Sequence, residues 1–308
     1  MRPSRLARGL AGLLAVLAGC QGRGSDIGPK LGAKPPDPFQ VQVFDDQGRP
    51  VCGATVRFGD ASAVTGRAGR SESPVRPRGL TRFTIDASAA SATDLDDLAG
   101  FAFTAEPIDD GRALPRAVFL PDLAPSAGLT VQAGVQPAPA TLDDRATSGA
   151  ILAIEAGVAV VEGGAATVTL RTASLLPRHL PAALPLPAGV AAVPARAIFV
   201  APEDVSFAPG AVLSIPDDIG AEAAGAELTV YRLDRDLGEW VAAGTATASG
   251  GRIETAAPGI VRGGLYAIAG TTPDACTVHG RVVDRTGAAV RGALVHAGGQ
   301  AAVTEPNG

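Results

Sequence analysis

The sequence predicts an all-β chain of tandem β-sandwich domains, and three observations carry that expectation. Among 308 residues, 39 are Gly and 25 are Pro, a density of breakers that long helices do not tolerate. Hydrophobic residues make up 46% of the chain, enough to fill cores, so it is not disordered throughout. Short apolar runs alternate with turn residues at sandwich spacing over most of the length. The length leaves room for two or three domains, each with a core of its own.

The amino terminus comes first. Arg2, Arg5 and Arg8 precede an apolar run from Gly9 to Gly19. That run is far shorter than the roughly 20 residues a spanning helix needs, so residues 1–19 read as an export signal peptide. It ends in Leu17-Ala18-Gly19-Cys20, which resembles the lipobox of bacterial lipoproteins. The resemblance implies cleavage before Cys20, acylation of its thiol with palmitate-like chains, and attachment to a membrane by lipid. Several acyl chains on one residue hold far more firmly than one. Residues 20–37 carry Gly22, Gly24, Gly28, Gly32, Pro35 and Pro36 with no apolar periodicity, the pattern of a flexible tether. Gln21 follows the cysteine where an acid would mark retention in the inner membrane. The resemblance therefore implies the outer membrane or cell surface.

An internal repeat follows. Placing Val43–Gly69 over Val282–Gly308, an offset of 239, matches 12 of 27 positions without a gap. Among the identities are Asp45/Asp284, Gly48/Gly287, Val51/Val290, Gly53/Gly292, Ala54/Ala293 and Val64/Val303. Each copy is expected to form a hairpin: a strand ending at the Asp, a turn at the Gly, and a second strand over 51–58 or 290–297. The pattern resembles the carboxypeptidase regulatory-like domain, which implies a transthyretin-like, Ig-like sandwich of about seven strands. The first copy spans residues 38–135, with further strands at Leu80–Ile85, Phe101–Ala105 and Val118–Leu120. The second, residues 275–308, is expected to be a truncated domain, because some thirty residues cannot bury enough surface to stand alone.

Between the copies, residues 146–270 alternate strands and turns through Ile151–Ile154, Val158–Val161, Ala166–Leu170, Ala197–Val200, Val212–Ile215, Leu228–Leu233, Glu239–Ala242, Arg252–Thr255 and Leu265–Ala269. Hairpin turns are expected at Asp234–Gly238 and Ser249-Gly250-Gly251. Phe207-Ala208-Pro209, Ser214-Ile215-Pro216, Tyr231 and Gly238-Glu239-Trp240-Val241 make this region similar to the ZU5-like modules of bacterial surface proteins. Trp240, the one tryptophan, is expected to point inward against Tyr231 across the hairpin as a core aromatic.

Charge and motif chemistry narrow the function. Without residues 1–19 the chain holds 23 basic and 31 acidic side chains, a net of −8, which argues against a nucleic-acid partner. His179, His279 and His296 begin no zinc-binding His-x-x-Glu or His-Glu-x-x-His pattern, and neither a Gly-x-Ser-x-Gly elbow nor a phosphate-binding Gly-x-x-x-x-Gly-Lys loop occurs. No catalytic residue, metal or cofactor is assigned, and the chain reads as a non-enzyme. Cys52 and Cys276 remain as an even pair in an oxidising compartment, read either as a bridge between the first and third modules or as a buried thiol at Cys52. Asp94, Asp96 and Asp97 form the densest set of carboxylates for a loop calcium site, and turn-forming and solubilising roles account for the same residues. The expected function is a membrane-anchored surface spacer or adhesion module for protein or glycan contact. The second reading is a carbohydrate-binding module, with only 4% aromatics in the chain. The third is an accessory part of a surface enzyme that continues beyond Gly308.

Overall fold

A computed structural model describes residues 39–271 apart from 76, 78, 94–96, 106–115, 183 and 186–191, and then 280–284, 287–290, 294–297 and 300–303. It is a β-sandwich protein, as the composition requires. In β1 (Phe39–Asp45) inward residues alternate, with Val41, Val43 and Asp45 fully buried. Asp45 ends the strand by folding the next turn around itself. Its Oδ1 accepts the Gln47 and Arg49 amides at 3.0 and 2.7 Å, and its Oδ2 accepts the Arg49 guanidinium.

The expected hairpin between the first two strands does not extend past its turn. Phe44 and Pro50 form a single antiparallel bridge and the Val51 amide donates to the Val43 carbonyl, after which the chain crosses to another sheet. Gly53 makes the crossing. Its φ is +84°, and a Cβ there would lie 2.5 Å from the Ala89 carbonyl oxygen. Beyond it come β2 (Thr55–Phe58), β3 (Ala61–Val64), β4 (Arg70–Ser73), β5 (Thr81–Asp86), β6 (Phe101–Ala105) and β7 (Arg116–Leu120). The first module is two sheets, β4-β1-β7 and β3-β2-β5-β6, in which β1 is antiparallel to β4 and parallel to β7. This module has seven strands. Between the sheets, Phe39, Phe58, Phe83 and Phe103 form a continuous aromatic run with neighbouring centroids 5.2–5.9 Å apart.

The second body comprises β8 (Leu129–Gln132), β9 (Gly134–Val135), β10 (Ala140–Asp144), β11 (Ala150–Ile154), β12 (Ala159–Val161), β13 (Thr167–Leu175), β14 (Ala192–Ala201), β15 (Ser206–Pro216), β16 (Glu227–Leu233), β17 (Trp240–Ser249), β18 (Arg252–Thr255), β19 (Ile260–Arg262) and β20 (Gly264–Thr271). They form one sheet whose main path runs β10-β11-β15-β18-β17-β16-β20-β14-β13-β8 and curls into a near-barrel. Both expected hairpin turns are present, joining β16 to β17 and β17 to β18. β8 and β9 pair with β13 and β12, so the pairing places residues 129–135 in this body rather than the first, and the chain passes between bodies at 121–128. Leu152, Leu170, Ile198, Phe207, Leu213 and Tyr266 fill the interior. The Tyr266 hydroxyl donates to the Arg262 carbonyl at 2.6 Å, and burial pushes its pKa up to about 12.

The two bodies share a core. The apolar cluster of the first module continues through Leu175, Phe199, Leu233, Trp240 and Leu265, which lie on the outer face of the second sheet. On β14 the alternation splits: Ala197, Phe199 and Ala201 face the first module, while Ile198 and Val200 face the barrel interior.

The repeat is also written in the backbone. Val290 donates to Val282 as Val51 does to Val43, each at 2.9 Å, and Gly287 donates to Asp284 as Gly48 does to Asp45. Asp284 Oδ1 accepts the Ala288 amide as Asp45 Oδ1 accepts that of Arg49. β21 (Leu294–Ala297) and β22 (Gln300–Val303) pair with Leu294 opposite Val303, the register of Thr55 opposite Val64 shifted by 239.

Candidate functional site

Several polar contacts join the two bodies where they meet. The Asp234–Gly238 turn is built by Asp234, whose Oδ1 accepts the Asp236 and Leu237 amides at 2.9 and 3.0 Å. Those bonds, led by the one from Leu237, hold the Asp234 pKa below the usual carboxylate range. The turn docks against the edge of β6: the Thr104 amide donates to the Gly238 carbonyl, and the Thr104 hydroxyl donates to that of Leu237 at 2.7 Å. Arg82 adds a hydrogen bond to the Arg235 carbonyl at 2.6 Å. Gly238 is required at this contact, because its φ is +68° and a Cβ would fall 2.9 Å from the Phe103 carbonyl carbon. An edge strand that would otherwise stand open is covered in this way.

The β13–β14 connection crosses the same seam. Its 3₁₀ turn, Pro177–His179, stacks the His179 ring on Phe119 at 3.7 Å, and Phe119 stacks on Phe44 at 5.3 Å. Further along, the Ala182 carbonyl accepts the Trp240 indole N–H at 3.0 Å. Trp240 is 5% exposed, a core aromatic as expected. Its partner across the hairpin is Leu233, however, because Tyr231 pairs with Ala242. A cleft of about 210 Å³ remains beside it, lined by Leu80, Thr104, Ala182, Pro185, Glu239 and Trp240.

The residues singled out from sequence fall into two groups. Cys20, Cys276, Asp94 and Asp96 lie outside the described residues. Cys52 sits at the crossing between the sheets of the first module, its backbone exchanging two hydrogen bonds of 2.9 Å with Ser91. Asp97 is committed to the seam: its Oδ2 pairs with Arg171 of β13, and its amide donates to Asp122 Oδ1 at 3.1 Å. Among the described residues no group of three or more His, Cys, Asp or Glu is placed to hold a metal ion.

Two features of the site were not legible in the sequence. Buried Asp144, 2% exposed, accepts hydrogen bonds from the Ser126 hydroxyl, the Thr172 hydroxyl at 2.7 Å and the Ala127 amide at 3.2 Å. Burial, reinforced by the Asp45 and Asp122 carboxylates, pushes the Asp46 pKa up to about 6. The folded protein thus holds this proton more tightly than the unfolded chain, whose carboxyl titrates near ~3.9. Stability from this group is therefore present at acid pH and is lost as pH rises from the unfolded value through about 6. Asp46→Asn removes the loss. With the half-exposed position discounted for solvent screening, the variant is expected to gain on the order of 1 kcal/mol at neutral pH. Urea midpoints compared near neutrality and near ~pH 4 check this, and a gain of equal size at both would show that ionisation is not its source.

Chemically, this arrangement is cohesive: the charged and aromatic groups at the seam are engaged in joining the two bodies. Comparison of the chain with protein-family models, with curated proteins and with solved structures finds no match.

Proposed function

We propose that this chain is a lipid-anchored surface protein whose β-sandwich bodies form a rigid spacer presenting contact surfaces to a protein partner, without catalysing a reaction. The observation that carries the reading is Leu17-Ala18-Gly19-Cys20, which closes an apolar run at the point where cleavage and acylation take place. Two further features support it. The stretch between Cys20 and β1 is rich in Gly and Pro, the composition of a flexible linker between an anchor and a folded part. The two bodies are joined by a shared apolar core, as a spacer needs in order to hold a surface at a fixed place.

Protein is favoured over glycan as the partner. Trp240, Tyr231 and Tyr266 are the only Trp and Tyr residues, and all three are buried, which leaves no such ring for a sugar to stack on.

The test is metabolic labelling in a bacterial host with an alkyne-bearing palmitate analogue. The parent chain is expected to take up label and sediment with membranes, and Cys20→Ser is expected to do neither. An unlabelled parent, or a Cys20→Ser chain that keeps its label, overturns the anchor.

A further inference from the structure

β1 and β7 run parallel, in register from Val41 opposite Arg116 to Asp45 opposite Leu120. The covalent chain reaches this pair and leaves it at opposite ends. It arrives from the tether at Phe39, the amino end of β1, and departs from Leu120, the carboxyl end of β7. Beyond Leu120 it is first bonded back to the first module, through Asp122 to residues 97–98, and then reaches the second body at Ser126. Asp122 Oδ1 accepts the Asp97 and Ala124 amides at 3.1 and 2.9 Å, and the Ser126 hydroxyl donates to Asp144 of β10.

Tension between an anchor on residue 20 and a load on the second body therefore pulls two neighbouring parallel strands toward opposite ends. The hydrogen bonds of a parallel pair are evenly spaced along the strands. Under such a pull every rung is loaded at the same time, whereas strands drawn apart from one shared end lose their rungs one by one. Sliding is opposed from the other flank as well. β1 is the middle strand of its sheet, paired with β4 from Phe39 opposite Ser73 to Gln42 opposite Arg70, and its inward side chains Val41 and Val43 are fully buried. Moving β1 by one residue would turn those valines out of the core.

We infer that the β1–β7 pair is a mechanical clamp, loaded in shear between the tether and the second body, so that the first module carries tension without unravelling. The biological use of the clamp rests on the lipid-anchor reading, while its geometry does not.

Single-molecule pulling on the chain from residue 20 to 308 tests it. One preparation carries azide-bearing residues for DNA handles at positions 37 and 124, which loads the pair in shear. The other carries them at positions 47 and 124, both exposed turn residues at the carboxyl ends of the two strands, which peels the pair open from one end. Thermal melts matching the unlabelled chain establish beforehand that both preparations are folded. At one loading rate the first pair of handles is expected to give a rupture force severalfold higher than the second, since forced opening is set by the barrier to unfolding. Equal forces, or a higher force for the 47/124 pair, overturn the clamp. Loss of palmitate labelling with the force contrast intact would instead overturn the anchor, so the two failures are distinguishable.

Discussion

Replacing Asp144 with alanine is expected to cost about 2–4 kcal/mol, because each buried polar group left without its partner costs about 1–3 kcal/mol. The reason lies in how the near-barrel closes. β10 and β8 are the two ends of the main strand path, and β8 is joined to β13 by backbone pairing. Between β10 and β13 it is side chains that hold the seam: Asp144 on β10 accepts from Thr172 on β13, and Thr172 in turn meets the Ser148 hydroxyl at 2.8 Å. The Thr172 amide donates to the Ser126 hydroxyl at 3.2 Å. Without the carboxylate, the buried Ser126 and Thr172 hydroxyls lose their acceptor, and unmet buried polar groups are expensive. Asp144→Asn keeps the shape and an acceptor oxygen, so it is expected to fall between alanine and the parent. Urea unfolding of the three proteins measures the order. An alanine variant within about 0.5 kcal/mol of the parent would mean that the network is not what closes the sheet.

Much of the strand content was legible because its cause is local. Val41, Val43 and Asp45 face inward at period two, and glycines stand where the chain turns. The repeat was legible for a related reason: its identities fall on the turn Asp and Gly and on Val51, residues whose backbone bonds recur at an offset of 239. Strand partners were another matter. Which strand lies beside β1 depends on contacts dozens of residues away, and a short apolar strand accepts either hand of neighbour, so the hairpin reading stopped one rung beyond the turn. The Asp144 network was hidden because its members at 126, 144, 148 and 172 share no spacing. For the shared core there was a signal. Ala197-Ile198-Phe199-Val200-Ala201 and Leu265-Tyr266-Ala267-Ile268-Ala269 are apolar without alternation, the pattern of strands covered on both faces. The two are neighbours, β14 and β20, and the first module is what covers their outer face.

Phe199 shows what that covering is worth. It belongs by sequence to the second body and by packing to the first: it is 3% exposed and lies in one apolar cluster with Phe83, Phe101, Phe103 and Ile85. Phe199→Ala is expected to cost about 3–5 kcal/mol through lost burial and the cavity left behind. The adjacent Ile198→Ala, facing the barrel interior, is expected to cost about 2–5 kcal/mol, so global stability alone does not separate the two positions. Amide hydrogen exchange does. If the bodies share one core, truncating Phe199 lowers protection in β5 and β6, elements of the other body, because the apolar cluster they belong to has lost one of its rings. Truncating Ile198 lowers protection first in β11 and β15, whose Leu152 and Leu213 line the same interior. Should β5 and β6 keep their full protection in Phe199→Ala, the bodies would be separate folding units that merely touch. The tether would then deliver its load to the first module alone rather than to a fused pair.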